Sequence, residues 1–240
     1  MIEITSLASG SSGNCYKIDD GSSSLLIEAG IPIKKIKEKL DYRLSEVGGC
    51  LVSHEHGDHS KAVEDIMSAG IDCYMSLGTK EALKLNNHRV NEIITKSADI
   101  TRSRPEIGSW ILRGFEVEHD AEEPLGFLFW SKATKDKLVY LTDTFYSKYK
   151  FHELDYIMVE CNYSKEILDE NIAAGRVPAV QKKRLLKTHM SLETCKDFLR
   201  ANDLSRVKEI WLLHLSDRNS NEERFKRKIQ GLTGKPVFIA

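Results

Sequence analysis

Short apolar runs separated by clusters of Gly, Ser, Asn and Asp fill the first part of the chain. Ile2–Leu7, Cys15–Asp19 and Leu25–Glu28 are three such runs, with Ala8–Asn14 (ASGSSGN) and Asp20–Ser24 between them. The pattern predicts strands joined by tight turns. Pro32 then opens IPIKKIKEKL, where Ile33, Ile36 and Leu40 recur at helical spacing, and proline is tolerated in a first turn. Gly49–Ser53 predicts a short buried strand that ends at a histidine. Lys61–Ala69 predicts a helix, Asp72–Met75 a strand and Thr79–Leu85 a helix. Strands are predicted next over Trp110–Glu118, Leu125–Trp130, Leu138–Leu141 and Tyr156–Glu160. After Cys161 the pattern turns helical, over Lys165–Ala174, Ala179–Lys187 and Leu192–Ala201, the last with Ser191 as N-cap. Glu209–Leu213 returns to strand, Ser220–Glu223 reads as a capping box opening a helix to about Gln230, and Pro236–Ile239 closes as a strand. Strands followed by helices in each half predict an α/β (α+β) chain of two packed sheets with helices outside. No repeat, low-complexity tract or shift of composition divides it, so residues 1–240 read as one domain.

Composition narrows the classes. Apolar residues make up 41% and charged residues 30% of the 240, which is ordinary for a globular protein and excludes disorder. Thirty-five basic against 36 acidic side chains give a net charge of −1. That excludes a basic nucleic-acid coat and leaves only a local patch for such contacts. No apolar run approaches the ~18 residues of a membrane span, and no basic segment leads into an apolar stretch at the N-terminus. Five cysteines without a C-x-x-C pair predict reduced core residues in a cytoplasmic protein.

The informative residues are histidines. Ser53-His-Glu-His-Gly-Asp-His59 places His54, His56, Asp58 and His59, four potential metal ligands, directly after a buried strand. In extended backbone, positions i and i+2 project to one side, so His54 and His56 can grip one ion. Gly57 allows a sharp bend, after which Asp58 and His59 can turn toward a second ion. One loop cannot complete two coordination spheres. His119, Asp143 and His214 each stand where an apolar strand stops, which is where loops carry function. Singly, each reads more readily as a capping or turn residue; jointly with the loop they form a specific set.

With these motifs in place the chain resembles the metallo-β-lactamase superfamily over essentially its whole length. The resemblance implies a four-layer αββα sandwich with metals at one edge. It implies that His54, His56 and His119 hold a first ion, that Asp58, His59 and His214 hold a second, and that Asp143 bridges them. The His directly after the loop Asp, His59, is usually missing from the true lactamases. The redox members carry Glu where His56 stands. LASGSSGNCY, EHDAEEPLGF and YLTDT resemble the WalJ/YycJ-type branch, which implies metal-dependent nuclease activity, including 5′ exonuclease action on DNA. Val159-Glu160-Cys161-Asn162 and His189-Met190-Ser191 resemble tRNase Z motifs, which implies a proton-delivering pair of Glu160 and His189. Two departures stand out. The family's D-A-G triplet is Glu28-Ala29-Gly30, and the Gly that often follows the bridging Asp-Thr is Phe145.

Two divalent ions, Zn or Mn, suit phosphodiester hydrolysis. Asp58, His189 and Glu160 are then the candidate catalytic residues, with His189 as proton donor. Arg176, Lys182, Lys183 and Arg184 could bind substrate phosphates, as could Ser11, Ser12 and Asn14 in the Gly/Ser-rich loop. The expected substrate is DNA or RNA. Alternatives are a small or cyclic nucleotide, a thioester or lactone, or an inactive binding scaffold. No membrane partner is expected, and a homodimer is compatible with the sequence.

Overall fold

The predicted strands and helices fall into two units in the computed structural model, which describes residues 1–95 and 104–240. One unit comprises Met1–Glu116 and Ala121–Asp136; the other comprises Val117–Asp120 and Lys137–Ala240.

In the first unit, strands β1 (Glu3–Ala8), β2 (Cys15–Asp19), β3 (Ser24–Ile27), β4 (Val47–Leu51), β5 (Cys73–Met75) and β6 (Val90–Glu92) form a sheet in sequence order. The pairs β1–β2 and β2–β3 are antiparallel, as two short turns require. From β3 to β6 the pairing is parallel, and each crossover carries helix. These helices are α1 (Ile33–Lys39), α2 (Gly57–Ser60), α3 (Val63–Ser68) and α4 (Leu77–Ala82). Leu26, Ile36, Cys50, Val52, Ile66 and Met67 belong to one buried cluster beneath them. Strands β7 (Glu106–Ile107), β8 (Trp110–Glu116) and β9 (Leu125–Ser131) follow as an antiparallel run. Buried Asp20 ties this run to the β2–β3 turn. Its carboxylate accepts hydroxyl hydrogen bonds from Ser109 and Ser131 at 2.6 Å each, and backbone N–H bonds from Ser22 and Ser23 at 3.0 Å. Burial pushes the Asp20 carboxyl up, but these four bonds outweigh it and hold the group below its ordinary range.

In the second unit, β10 (Lys137–Leu141), β11 (Tyr156–Glu160), β12 (Glu209–Leu213) and β13 (Val237–Ile239) are all parallel and adjacent in that order. Every residue of β11 is buried, as a strand covered on both faces demands. The helices are α5 (Lys165–Ala173), α6 (Ala179–Thr188), α7 (Leu192–Ala201) and α8 (Glu222–Thr233). Ser191 caps α7 as expected, accepting from Thr194 N–H at 3.1 Å. The cap of α8 is Asn221, which accepts from Arg224 N–H at 2.9 Å. The box beginning at Ser220 is therefore displaced by one residue, because the Ser220 hydroxyl instead donates to Ser216 O. The five cysteines are buried and unbridged. No helix among the described residues is long and apolar enough to cross a membrane.

Candidate metal centre

In the first unit the backbone assembles the histidine loop. Strand β4 ends at Leu51 and the chain runs extended through Ser53, whose carbonyl accepts from Leu125 N–H at 2.9 Å. His54 Nδ1 lies 2.9 Å from Ser53 Oγ, and its Nε2 lies 3.1 Å from His56 Nδ1. Two nitrogens bound to one zinc at tetrahedral angles stand about 3.3 Å apart, so this pair already has the spacing of a shared ion. Asp58 and His59 follow inside α2, as the motif predicts. Gly57 is the first residue of that helix and needs no conformation special to glycine, contrary to the expectation of a glycine bend.

His59 is fully buried and held by residues distant in sequence. Asn14 Nδ2 lies 3.2 Å from His59 Nε2, and Glu28 Oε1 lies 3.4 Å from Nδ1. Asn14 N–H donates to Asp58 O at 2.7 Å and Ala29 N–H to His59 O at 2.8 Å. A Cβ at Gly30 would meet Asp58 O at 1.7 Å, so only glycine permits this approach. Gly13, at φ 148°, turns the loop that delivers Asn14. Glu28 itself has φ 67°, and its Oε2 accepts from Ser53 N–H at 3.2 Å. Glutamate thus reaches both the start of the loop and His59, which gives the extra methylene a place.

In the second unit carboxylates organise the histidines. His119 lies past the end of β8, which stops at Glu116, two residues short of the expected Glu118. Its Nδ1 donates to Thr188 O at 2.9 Å, which presents Nε2 as the lone-pair atom. That Nε2 lies 3.3 Å from Asp120 Oδ1 and 3.5 Å from Asp143 Oδ2. Burial holds His119 below the ordinary histidine range despite the charge of Asp143, which keeps it neutral as a ligand must be. Asp143 and His214 take positive φ values of 41° and 52° just beyond β10 and β12. Asp143 Oδ1 accepts from His214 Nδ1 at 2.6 Å and from Thr142 Oγ1 at 2.9 Å.

Glu160 ends β11 and is fully buried. Its Oε2 accepts from Thr144 N–H and Met190 N–H, both at 3.0 Å, while Oε1 accepts from His189 Nδ1 at 2.6 Å. Burial lowers the His189 pKa, but the charge and hydrogen bond of Glu160 and the charge of Asp143 outweigh it, and the group is pushed up to about 9. One atom each from Asp143, Glu160, His189 and His214 lies within 4.8 Å of the others. Imidazole nitrogens and carboxylate oxygens in these two sets are the donors that Zn and Mn accept, so the residues fit divalent ions.

Residues 25–215 match the Beta-lactamase superfamily domain. The chain belongs to the beta-lactamase superfamily. It is 30% identical over 229 residues to exodeoxyribonuclease WalJ of Streptococcus pneumoniae, covering 90% of this chain and 82% of that one. Against exodeoxyribonuclease YycJ of Bacillus anthracis the identity is 28% over 230 residues, covering 90% and 83%. Among solved structures, the metallo-beta-lactamase fold protein YhfI from Bacillus subtilis superposes with a TM-score of 0.73 at 15% identity, over all of this chain and 96% of that one. The mixed α/β architecture expected from the sequence is that of the superfamily.

The substrate candidates of this superfamily chain are placed unevenly. Ser11 and Ser12 are exposed on the Gly/Ser-rich loop. Asn14 is corrected from substrate contact to support: it is fully buried, and its amide is spent on Gly10, Asp58 and His59. Lys182 forms an ion pair with Asp169 at 2.6 Å, and Arg184 lies 3.7 Å from Asp120. Lys183 is exposed on α6. Arg176, which precedes that helix, donates from Nε to Asn171 Oδ1 at 2.7 Å. Sequence reasoning missed Thr144 and Thr188, whose backbone groups hold Glu160 and His119. No local signal marks a backbone donor or acceptor.

Proposed function

We propose that the chain is a metal-dependent phosphodiesterase that cleaves nucleic acid, with DNA exonuclease action as its leading activity. The observation that carries this reading is the His189–Glu160 pair at 2.6 Å, grouped with Asp143 and His214. Hydrolysis of an alkyl phosphodiester expels an alkoxide that needs a proton, and a histidine held cationic at neutral pH provides one. The identity to exodeoxyribonuclease WalJ over nine-tenths of the chain supports the choice of DNA.

In this proposal His54, His56 and His119 would hold one divalent ion, Asp58, His59 and His214 would hold a second, and Asp143 would serve both, with Zn and Mn as the candidates. Such ions supply Lewis acidity toward a phosphoryl oxygen and make water a competent nucleophile near neutral pH. The chain's own residues do the remaining work. Glu160 accepts the hydrogen bond from His189 Nδ1–H and fixes the ring, so the Nε2 proton is the one that goes to the leaving oxygen. Thr144 and Met190 N–H groups hold Glu160 in place while this happens. Thr188 O and Glu28 orient His119 and His59 for their ions.

A phosphodiesterase of small or cyclic nucleotides is the second reading. It is favoured by the engagement of Lys182 and Arg184 with Asp169 and Asp120, which shrinks the basic surface of α6. The deciding experiment is a panel of labelled DNA, RNA, cyclic nucleotide and thioester, run with protein reloaded with Zn or Mn. Progressive shortening of the DNA is expected, with up to two ions bound per chain. Oligonucleotides left intact at low salt with both metals, while a cyclic nucleotide is turned over, would overturn the nuclease reading.

A further inference from the structure

The second unit holds a cavity of about 450 Å³ lined by Asn171, Arg176 and Arg218, none of them in the proposed metal or proton-delivering sets. Local structure builds it. Helix α5 ends at Ala173, and Gly175 at φ 70° reverses the chain. Arg176 N–H and Val177 N–H then return to Asn171 O at 2.8 and 3.3 Å. This places the Arg176 guanidinium on the side chain of Asn171, where Nε donates to Oδ1 at 2.7 Å. Asn171 is buried, and its Nδ2 donates to Arg218 O at 2.8 Å and to Asn219 Oδ1 at 3.0 Å. One buried amide therefore orients one guanidinium and anchors the backbone of the other arginine.

Both arginines are exposed, and neither guanidinium pairs with a carboxylate among the described residues. Two other cations of this unit are held by carboxylates. Lys182 is committed to Asp169. In a second basic cavity, lined by Arg224, Arg227 and Lys228, Arg224 is committed to Glu166 and Arg227 Nε to Glu223 O. With its Nε spent on Asn171, Arg176 keeps its two terminal nitrogens for a ligand, and Arg218 keeps its whole fork. Two guanidinium groups over one cavity match a tetrahedral oxyanion.

We propose that this cavity is a phosphate-binding subsite that takes a backbone phosphate of the bound nucleic-acid strand. The strand as source rests on the nuclease reading; the phosphate chemistry rests on the cavity alone. Two measurements separate these. The first is binding of a phosphorothioate single-stranded oligonucleotide across a salt series, with wild type, Arg176→Ala and Arg218→Ala. Each variant should raise Kd about tenfold and reduce the slope of log K against log salt by about 0.7, the share of one phosphate on a single strand. Arg218→Lys should recover part of the slope but less of the affinity, because lysine keeps the charge and loses the fork. Unchanged Kd and slope in both alanine variants, with wild type binding normally, would overturn the subsite and leave the nuclease reading standing. The second measurement follows the Arg side-chain Nε–H signals by NMR during titration with inorganic phosphate. Saturable shifts at Arg176 and Arg218 are expected. If wild type binds no oligonucleotide, the nuclease reading falls. The same titration then decides the cavity: saturable shifts sustain a site for a free phosphate or a small phosphate ester, and their absence overturns it.

Discussion

The two units hold their histidines by different means. In the first, backbone groups do most of the holding: Asn14 N–H on Asp58 O, Ala29 N–H on His59 O, and a glycine at position 30 that lets the strands close on the loop. In the second, side-chain carboxylates do it, with Asp143 on His214 and Glu160 on His189, both at 2.6 Å. Backbone latches do not titrate and are intolerant of added atoms. A portion held by carboxylates tolerates small changes of shape and responds to charge. The first portion should therefore fail by steric insult and the second by loss or titration of an acid.

The largest effect is expected at Asp143→Ala, which removes the partner of His214 and the proposed shared ligand. Turnover of a phosphodiester should fall by about a thousandfold or more, with thermal melting little changed. Wild-type-like turnover would remove Asp143 from the site and point to Asp120.

Gly30→Ala tests the other portion. A Cβ 1.7 Å from Asp58 O forces the backbone apart, and a loss of about 3 kcal/mol or more in urea unfolding is expected. Stability within about 0.5 kcal/mol of wild type would mean that the contact yields easily and the contrast between the portions is overstated.

Titration comes third. His189 has its folded pKa raised to about 9, above the unfolded value near 6.5. The stability it contributes is fully present below pH 6.5 and is lost as pH rises through about 9. Metal-depleted protein should lose on the order of 2 kcal/mol across that window. Glu160→Gln, which removes the group that raises the pKa, should flatten the profile. An equal slope in the variant would assign the pH dependence to another group.

The smallest effect is expected at Glu28→Asp. Aspartate restores the residue usual in the superfamily but cannot span both Ser53 N–H and His59. Metal affinity should weaken about tenfold. Unchanged affinity in isothermal titration would show that the Ser53 bond alone suffices.

Much of this was legible in the sequence where chemistry and periodicity coincide. The candidate ligands of the first loop sit within six residues after an apolar run, and Asp143, Glu160 and His214 each mark the end of a parallel strand. Other features depend on dihedrals that side-chain pattern does not encode. Glu28, Asp143 and His214 all have positive φ, a conformation costing about 1 kcal/mol or more that surrounding contacts must impose. Asn14 looked like a substrate group because Gly/Ser loops commonly are; only the closure of Gly30 on Asp58 shows that it is buried. The α8 cap moved to Asn221 because Ser220 found a carbonyl four residues earlier, at Ser216, a competition invisible in a motif. Arg218 carried no signal, because its role depends on Asn171, 47 residues away.

The segment Val117–Asp120 belongs to the second unit although the residues on both sides of it belong to the first. This has a consequence for the order in which the molecule is made. His119 leaves the ribosome early, inside a stretch whose flanks can settle once Asp136 has emerged. The carbonyl that fixes its tautomer is Thr188, 69 residues later. At synthesis rates of about 5–20 residues per second, that histidine waits roughly 3–14 s for its partner. During that interval the nascent chain already displays His54, His56 and His59, but not the Asp143–His214 pair. The early loop is thus complete in the nascent chain before the Asp143–His214 pair has been made.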